Sequence, residues 1–201
     1  MEKRHIILSA AYDVFKECGY DGATLDEVAR RAEFAKGTLY SYFGSKAELF
    51  EALVQQEFDA VVRDTLAELD REATPEGVIR TAFRVLLKHI ARHNEFFQLA
   101  LVHEEAVGRE DAKRIRAVIF SRVGELMEGV AARLATGKKS GIFKDYPLQF
   151  LAFFLLILVQ HYSAYKIMFE EGAPLGAADV DVLYDVYMDG VRATVRPPEA
   201  V

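Results

Sequence analysis

The chain has no tryptophan, one cysteine and five prolines in 201 residues. A lone Cys18 cannot close an intramolecular disulfide, and the start shows no signal-peptide pattern, so a reducing cytoplasm is the expected setting. Cys18 falls on the apolar stripe of the first helical segment and is expected as a small core residue rather than a redox sensor. The prolines sit mostly outside the periodic stretches, which favours helix, and no Gly-rich or Ser-rich tract signals disorder. Long hydrophobic runs are missing too. The most apolar stretch, Phe150 to Val159, would cover about 15 Å as a helix, half of a bilayer core; a buried or interface helix is expected and no membrane partner. There is no phosphate-cradling Gly loop, no Cys–His arrangement and no Gly-x-Ser-x-Gly. Neither catalysis nor a cofactor is expected.

Metal ligands are also scarce. His89 and His93 stand at i and i+4 and share a helix face, but only two ligands are visible, so a solvated polar face is expected there and no metal. A di-iron bundle would need two Glu-x-x-His motifs; the single match is Glu2 to His5.

What is present is apolar residues, 51% of the chain, and a net charge of −6. That balance excludes a wholly basic nucleic-acid binder but leaves room for a local basic face. Residues 1–50 hold 7 Lys or Arg and 8 Asp or Glu, so any DNA-directed cations must be well placed.

Apolar residues recur at helical spacing throughout and no alternating, strand-like segment occurs. A first helix is expected over about Lys3 to Cys18, with Ile7, Ala10, Ala11, Val14 and Phe15 on its stripe and Gly19 as its stop. Thr24 with Glu27 forms a capping box that starts a second helix, and the chain breaks near Glu33, Phe34 and Ala35. A third, about Lys36 to Phe43, is too short to be stable alone; Leu39 and Phe43 share its inner face at 100° per residue. Gly44 ends it, and Ser45 with Glu48 caps a long helix from Lys46 to about Arg71. Thr74 before Pro75 starts the next, reaching about His93. Further helices are expected over Glu95 to Val107, over the stripe from Ile115 to Leu134, from about Pro147 to Glu171, and from about Asp179 to Val195. The expected fold is all-α, about nine helices, with a three-helix head (residues 1–50) on a helical body (residues 51–201).

The stretch TLDEVARRAEFAKGTLYSYFGSK, Thr24 to Lys46, organises this layout. A helix-turn-helix docks its second helix in the major groove, and the outward side of the third helix suits that task. Thr38 and Ser41 can donate or accept at base edges. Gly37 lets the backbone come close, and Lys36 can reach a guanine edge or a phosphate. Tyr40 and Tyr42 flank this face with hydroxyls suited to phosphates. Lys46 adds an ammonium at a helix N-terminus.

The segment from Arg4 to Leu53, through ILSAAYDVFKECGYDGATLDEVARRA and KGTLYSYFGSKAELFEAL, resembles the DNA-binding domain of TetR-family (TetR/AcrR-type) transcriptional regulators. The resemblance implies base-facing roles for Lys36, Gly37, Thr38 and Ser41, and sugar–phosphate contacts from Thr24, Tyr40, Tyr42 and Lys46. Two departures stand out: Glu33 replaces the usual turn glycine, and Ala35 stands where a capping serine is common. The family further implies double-stranded operator DNA as partner, a homodimer built from the last two long helices, and a small effector bound in the body. The first of those helices is apolar nearly all round, and the second offers Val180, Leu183, Tyr187 and Val191. Candidate effector-lining residues are Phe96, Phe97, His103, Phe120, His161, Tyr162 and Tyr165, aromatics with a few polar tips; buried imidazoles at His103 and His161 would need partners.

The function this implies is a homodimeric repressor released from a palindromic operator by a small apolar or amphipathic effector. Two alternatives remain: an activator or co-repressor-dependent regulator of the same fold, and a small-molecule-binding helical protein with a non-functional head.

Overall fold

The stripe Ile7, Leu8, Ala11, Val14 and Phe15 is fully buried and is carried by α1 (Glu2–Gly22). The computed structural model describes residues 2–100, 107–170 and 174–192, with side chains described at all of these except 94–100 and 167. After α1 come α2 (Leu25–Arg31), α3 (Lys36–Tyr42), α4 (Lys46–Leu69), α5 (Pro75–Ala100), α6 (Arg109–Lys139), α7 (Leu148–Phe169) and α8 (Ala177–Val191). Among the described residues these are eight helices and no strand, with one isolated bridge between Phe143 and Arg192. The architecture is all-α, as its periodicity requires. The break expected beyond His93 is a kink within α5, where His93 leaves helical geometry (φ −125°, ψ 19°). The helix expected over the stripe from Ile115 to Leu134 runs further at both ends, as α6 from Arg109 through Lys139.

The chain divides into two compact units, residues 1–60 with 93–123, and residues 61–92 with 124–201. In the first unit, α1, α2, α3 and the start of α4 enclose one core. Phe15, Tyr20 and Phe50 form its aromatic centre, with ring centroids 4.8 to 5.9 Å apart. Leu49, Leu53, Val54 and Ile115 complete it. Each such side chain taken out of water contributes about 1.5–3 kcal/mol.

Gly19, at φ 69°, turns the chain at the end of α1 and lets Tyr20 fold back into this core. Cys18, the last residue before this reversal, is exposed and not the core residue its position on the stripe suggests; Tyr20, just past the turn, is the buried side chain at this end of the helix.

The second unit centres on Tyr187, fully buried, which packs on Phe83 and Phe154 and donates its hydroxyl to the Leu151 carbonyl at 3.0 Å. Gly129 lies close under Leu66, whose terminal methyl would have to shift for a Cβ placed 2.4 Å from it. Helix α7 buries Leu151, Ala152, Leu155 and Val159 but leaves Phe150, Phe153, Tyr165, Met168 and Phe169 exposed. Its apolar window, Leu148–Lys166, is longer than the run Phe150–Val159 alone and is long and apolar enough to cross a bilayer by length and composition. One correction concerns α8: Leu183, Tyr187 and Val191 fill the unit's own core, and Val182 and Val186 are the residues facing outward. Because α7 is apolar nearly all round, sequence periodicity could not say which side of α8 it would meet.

Candidate nucleic-acid interface

The head is shaped by its caps. Thr24 accepts from the Glu27 amide at 3.2 Å and starts α2. The Glu27 carboxylate does not complete the expected capping box. It holds Arg30 (2.6 and 2.8 Å) and Arg31 (3.0 Å) instead, and these hydrogen bonds, Arg30's first, bring its carboxyl down to about 2. Arg31 also binds Glu17 of α1, so one guanidinium joins α1 to α2.

The turn forms without glycine. Glu33 takes the left-handed conformation itself, at φ 57°. Its amide donates to Arg30 (3.3 Å) and the Phe34 amide to Ala29 (3.0 Å), which together make a Schellman ending to α2. Ala35 caps α3 with no side-chain hydrogen bond, as its lack of a hydroxyl requires. The seven-residue α3 is therefore held by packing, with Leu39 (0% exposed) and Phe43 (2%) beneath it. At the far end, Ser45 receives the Glu48 amide at 3.1 Å, and Glu48 in turn accepts from the Gly44 amide at 2.8 Å.

The opposite side of α3 is open. Gly37, Tyr40, Ser41 and Tyr42 are exposed and Thr38 is half-buried. A Cβ at Gly37 would meet nothing within 4 Å, so packing inside the chain does not demand glycine there. Ser41 donates its hydroxyl proton to the Thr38 carbonyl at 2.6 Å, which leaves its oxygen lone pairs as acceptors for a partner. The Lys36 ammonium binds Asp26 of α2 at 2.7 Å and stands 5.8 Å from the Tyr40 ring centre; the hydrogen bond it donates to Asp26 raises the lysine's pKa. Lys46 is half-buried. Its ammonium donates to the carbonyls of Tyr20 (2.8 Å) and Asp21 (3.3 Å) and lies 4.5 Å over the Tyr20 ring. Arg4, near the start of α1, stacks 5.4 Å from the Phe43 ring, at the C-terminal end of α3.

The arrangement thus brings Lys36, Gly37, Thr38, Tyr40, Ser41 and Tyr42 onto one element, with Thr24 capping the helix before it and Lys46 starting the helix after it. Sequence reasoning missed Asp26. It is ten residues from Lys36, and no local spacing rule links the two.

The candidate effector residues are scattered in character. His103 lies outside the described residues, as do the side chains of Phe96 and Phe97. In the first unit, Phe120 is 72% exposed. In the second, His161 is exposed rather than buried and its Nδ1 meets the Ile157 carbonyl at 2.9 Å. Tyr165 is exposed. Tyr162 is half-buried and donates to Asp179 at 2.6 Å; burial, then this bond, pushes its phenol up to about 12. Asp179 also accepts from the Gly176 amide at 2.6 Å, which secures the start of α8. A groove of about 340 Å³ in the first unit is lined by Glu51, Gln55, Arg114, Ala117, Val118, Ser121 and Arg122, none of them an effector candidate.

His89 and His93 are not on a solvated face. His89 meets Asp64 at 3.3 Å, and His93 meets Tyr12 at 2.9 Å and Glu57 at 3.3 Å. No group of three or more His, Cys, Asp or Glu suited to a metal occurs among the described residues.

Comparison with known proteins agrees with this geometry. Residues 7–53 match the family model described as bacterial regulatory proteins, tetR family. The chain is 26% identical over 163 residues to the uncharacterized HTH-type transcriptional regulator YhgD of Bacillus subtilis, covering 79% of this chain and 81% of that one. It is 32% identical over 136 residues to the HTH-type transcriptional repressor KstR of Mycolicibacterium smegmatis, covering 66% of this chain and 62% of that one. Its fold is shared with the transcriptional regulator FadR of Bacillus subtilis, solved in complex with stearoyl-CoA, at a TM-score of 0.76 and 18% identity over 94% of this chain and 99% of that one. Residues 7–53 thus carry the helix-turn-helix of the TetR family of transcriptional regulators, and the chain as a whole shares the fold of a solved regulator.

Proposed function

We propose that this chain is a homodimeric repressor that leaves a near-palindromic operator when a small apolar or amphipathic effector binds. Residues 1–50 act as the DNA-binding domain and residues 51–201 as the effector-binding and dimerisation domain. The observation that carries the reading is α3, with Leu39 and Phe43 buried beneath it and Gly37, Tyr40, Ser41 and Tyr42 exposed above. In the groove, Lys36, Gly37, Thr38 and Ser41 face base edges, while Thr24, Tyr40, Tyr42 and Lys46 meet phosphates. Two heads joined by a dimer place two copies of α3 in successive major grooves.

The dimer is proposed through α7 and α8. Phe150, Phe153, Val182 and Val186 are exposed apolar side chains on these two helices, surface that a second copy would remove from water. An amphipathic effector is supported at the level of the fold by the stearoyl-CoA held in B. subtilis FadR. The effector releases DNA through its greater affinity for the state that does not fit the operator.

The test is a footprint of the full chain on DNA flanking its own gene, with and without a panel of acyl-CoA thioesters and other amphipathic molecules. A protected near-palindrome, lost on addition of one class, supports the reading. Equal affinity for every DNA sequence overturns it, and tighter operator binding with the effector makes the chain a co-repressor-dependent regulator instead.

A further inference from the structure

Asp26 presents a problem on a surface meant for DNA. It is on the first turn of α2, its side chain is 58% exposed, and it binds the Lys36 ammonium at 2.7 Å. Lys36 opens α3, is 62% exposed, and stands 5.8 Å from the Tyr40 ring centre. Wherever α3 carries Lys36 into a groove, the Asp26 carboxylate goes with it. A carboxylate there is repelled by phosphates, and the DNA groups that can give it a further hydrogen bond are donors on base edges. In the major groove those donors are the cytosine N4 and adenine N6 amines. The neighbouring ammonium can only donate, so it needs an acceptor, and guanine offers two, O6 and N7. G·C alone shows two adjacent acceptors, guanine N7 and O6, followed by one donor, cytosine N4; in A·T the adenine N6 donor stands between two acceptors, N7 and thymine O4.

We propose that Asp26 and Lys36 act as one ion-paired unit that reads a single G·C pair in each half-site, Lys36 donating to guanine and Asp26 accepting from the N4 amine of the paired cytosine. This rests on the DNA-binding reading of α3 and adds a residue, Asp26, and a base identity to it. The pairing also sets a trade. Lys36 is already neutralised by Asp26, so it contributes little to sequence-independent attraction, and the couple favours selectivity over raw affinity.

The test is selection of bound duplexes from a randomised double-stranded DNA pool by the full chain, as wild type, Asp26→Asn, Lys36→Met and the double variant. Both side chains are exposed, and the cap from Thr24 is untouched by either change. The expected result is a wild-type motif with a G·C position in each half-site. Preference there falls about five- to 150-fold in Asp26→Asn and in Lys36→Met alike, and the double variant is no worse than either single one. Asp26→Asn also frees Lys36 for a phosphate, so its affinity for random DNA rises and its log–log salt slope steepens by about 0.9 per protomer. An Asp26→Asn chain that keeps every position of the wild-type motif overturns the paired readout, even if Lys36→Met loses one. A wild-type chain that enriches no sequence overturns the DNA-binding reading itself, and the pair with it.

Discussion

Lys46 reaches back across the head to Tyr20, donating to its carbonyl at 2.8 Å and lying 4.5 Å over its ring. The residue expected to anchor a phosphate therefore also ties the start of α4 to the end of α1. Lys46→Met removes both functions. Binding to operator and random DNA should weaken about equally, with a log–log salt slope shallower by about 0.9 per protomer. The head should also lose about 1–2 kcal/mol from the lost charged hydrogen bond and cation–π contact. A salt titration paired with a thermal melt separates the two. Weakened binding with an unchanged salt slope would leave Lys46 with the structural task alone.

Gly37 separates folding from reading. A Cβ there meets nothing in the chain, and its backbone is not left-handed. Alanine in a helix is favoured over glycine by about 0.5–1 kcal/mol. Gly37→Ala should thus melt at the same temperature or higher while its operator affinity falls, because the added methyl stands between α3 and the bases. Unchanged affinity in a footprint titration would remove Gly37 from the interface.

Glu33 bears the opposite strain. It is the one described non-glycine residue at positive φ, 57°, in the position of a Schellman ending that glycine normally fills. Left-handed backbone costs a non-glycine residue about 1 kcal/mol or more. Glu33→Gly should therefore stabilise the head, by up to about 1 kcal/mol in a chemical denaturation, whereas Glu33→Val should destabilise it by more than that. A Gly variant less stable than wild type would mean that the carboxylate contributes more than the backbone loses.

How much of this could be read from sequence follows the range of each interaction. The caps at Thr24, Ser45 and Thr74 and the inner pair Leu39 and Phe43 depend on neighbours within four residues, and all five stand as spacing predicts. Contacts made at a distance were not legible. Arg31 found Glu17 fourteen residues away, and Lys36 found Asp26 ten residues away. Glu27 had several local partners within one turn, the backbone, Arg30 and Arg31, and spacing alone does not choose among them. Cys18 sits on the right stripe but at its last position, immediately before Gly19 reverses the chain. On α8 the true outward residues are one position away from the buried Leu183 and Tyr187, a rotation that only the packing of α7 decides.

The Glu27 clamp gives the head a pH dependence. Its carboxyl, held at about 2 by Arg30 and then Arg31 against an ordinary 4.5, is depressed on folding. Its contribution is present above the ordinary value and is lost as pH falls toward about 2. Glu27→Gln should melt below wild type at neutral pH, and the gap should close between about pH 4.5 and 2, where the wild-type carboxyl gains its proton. A gap that persists unchanged at the acid end would assign the effect to packing rather than charge.

Phe153 and Tyr187 separate association from folding in the second unit. Phe153 is 46% exposed on α7, whereas Tyr187 is fully buried and bonded to Leu151. If α7 and α8 meet a second copy, a charge at Phe153 must be desolvated at that interface, which costs several kcal/mol unless it is paired. Phe153→Asp should then run as a monomer in size-exclusion chromatography with light scattering, at an unchanged helix content by circular dichroism. Tyr187→Phe keeps the ring and removes one buried hydrogen bond, so it should lose about 0.5–1.5 kcal/mol of stability and remain a dimer. Operator affinity should follow the first variant and not the second, because a lone head makes half of the phosphate contacts. A Phe153→Asp chain that stays dimeric would move the interface off this face.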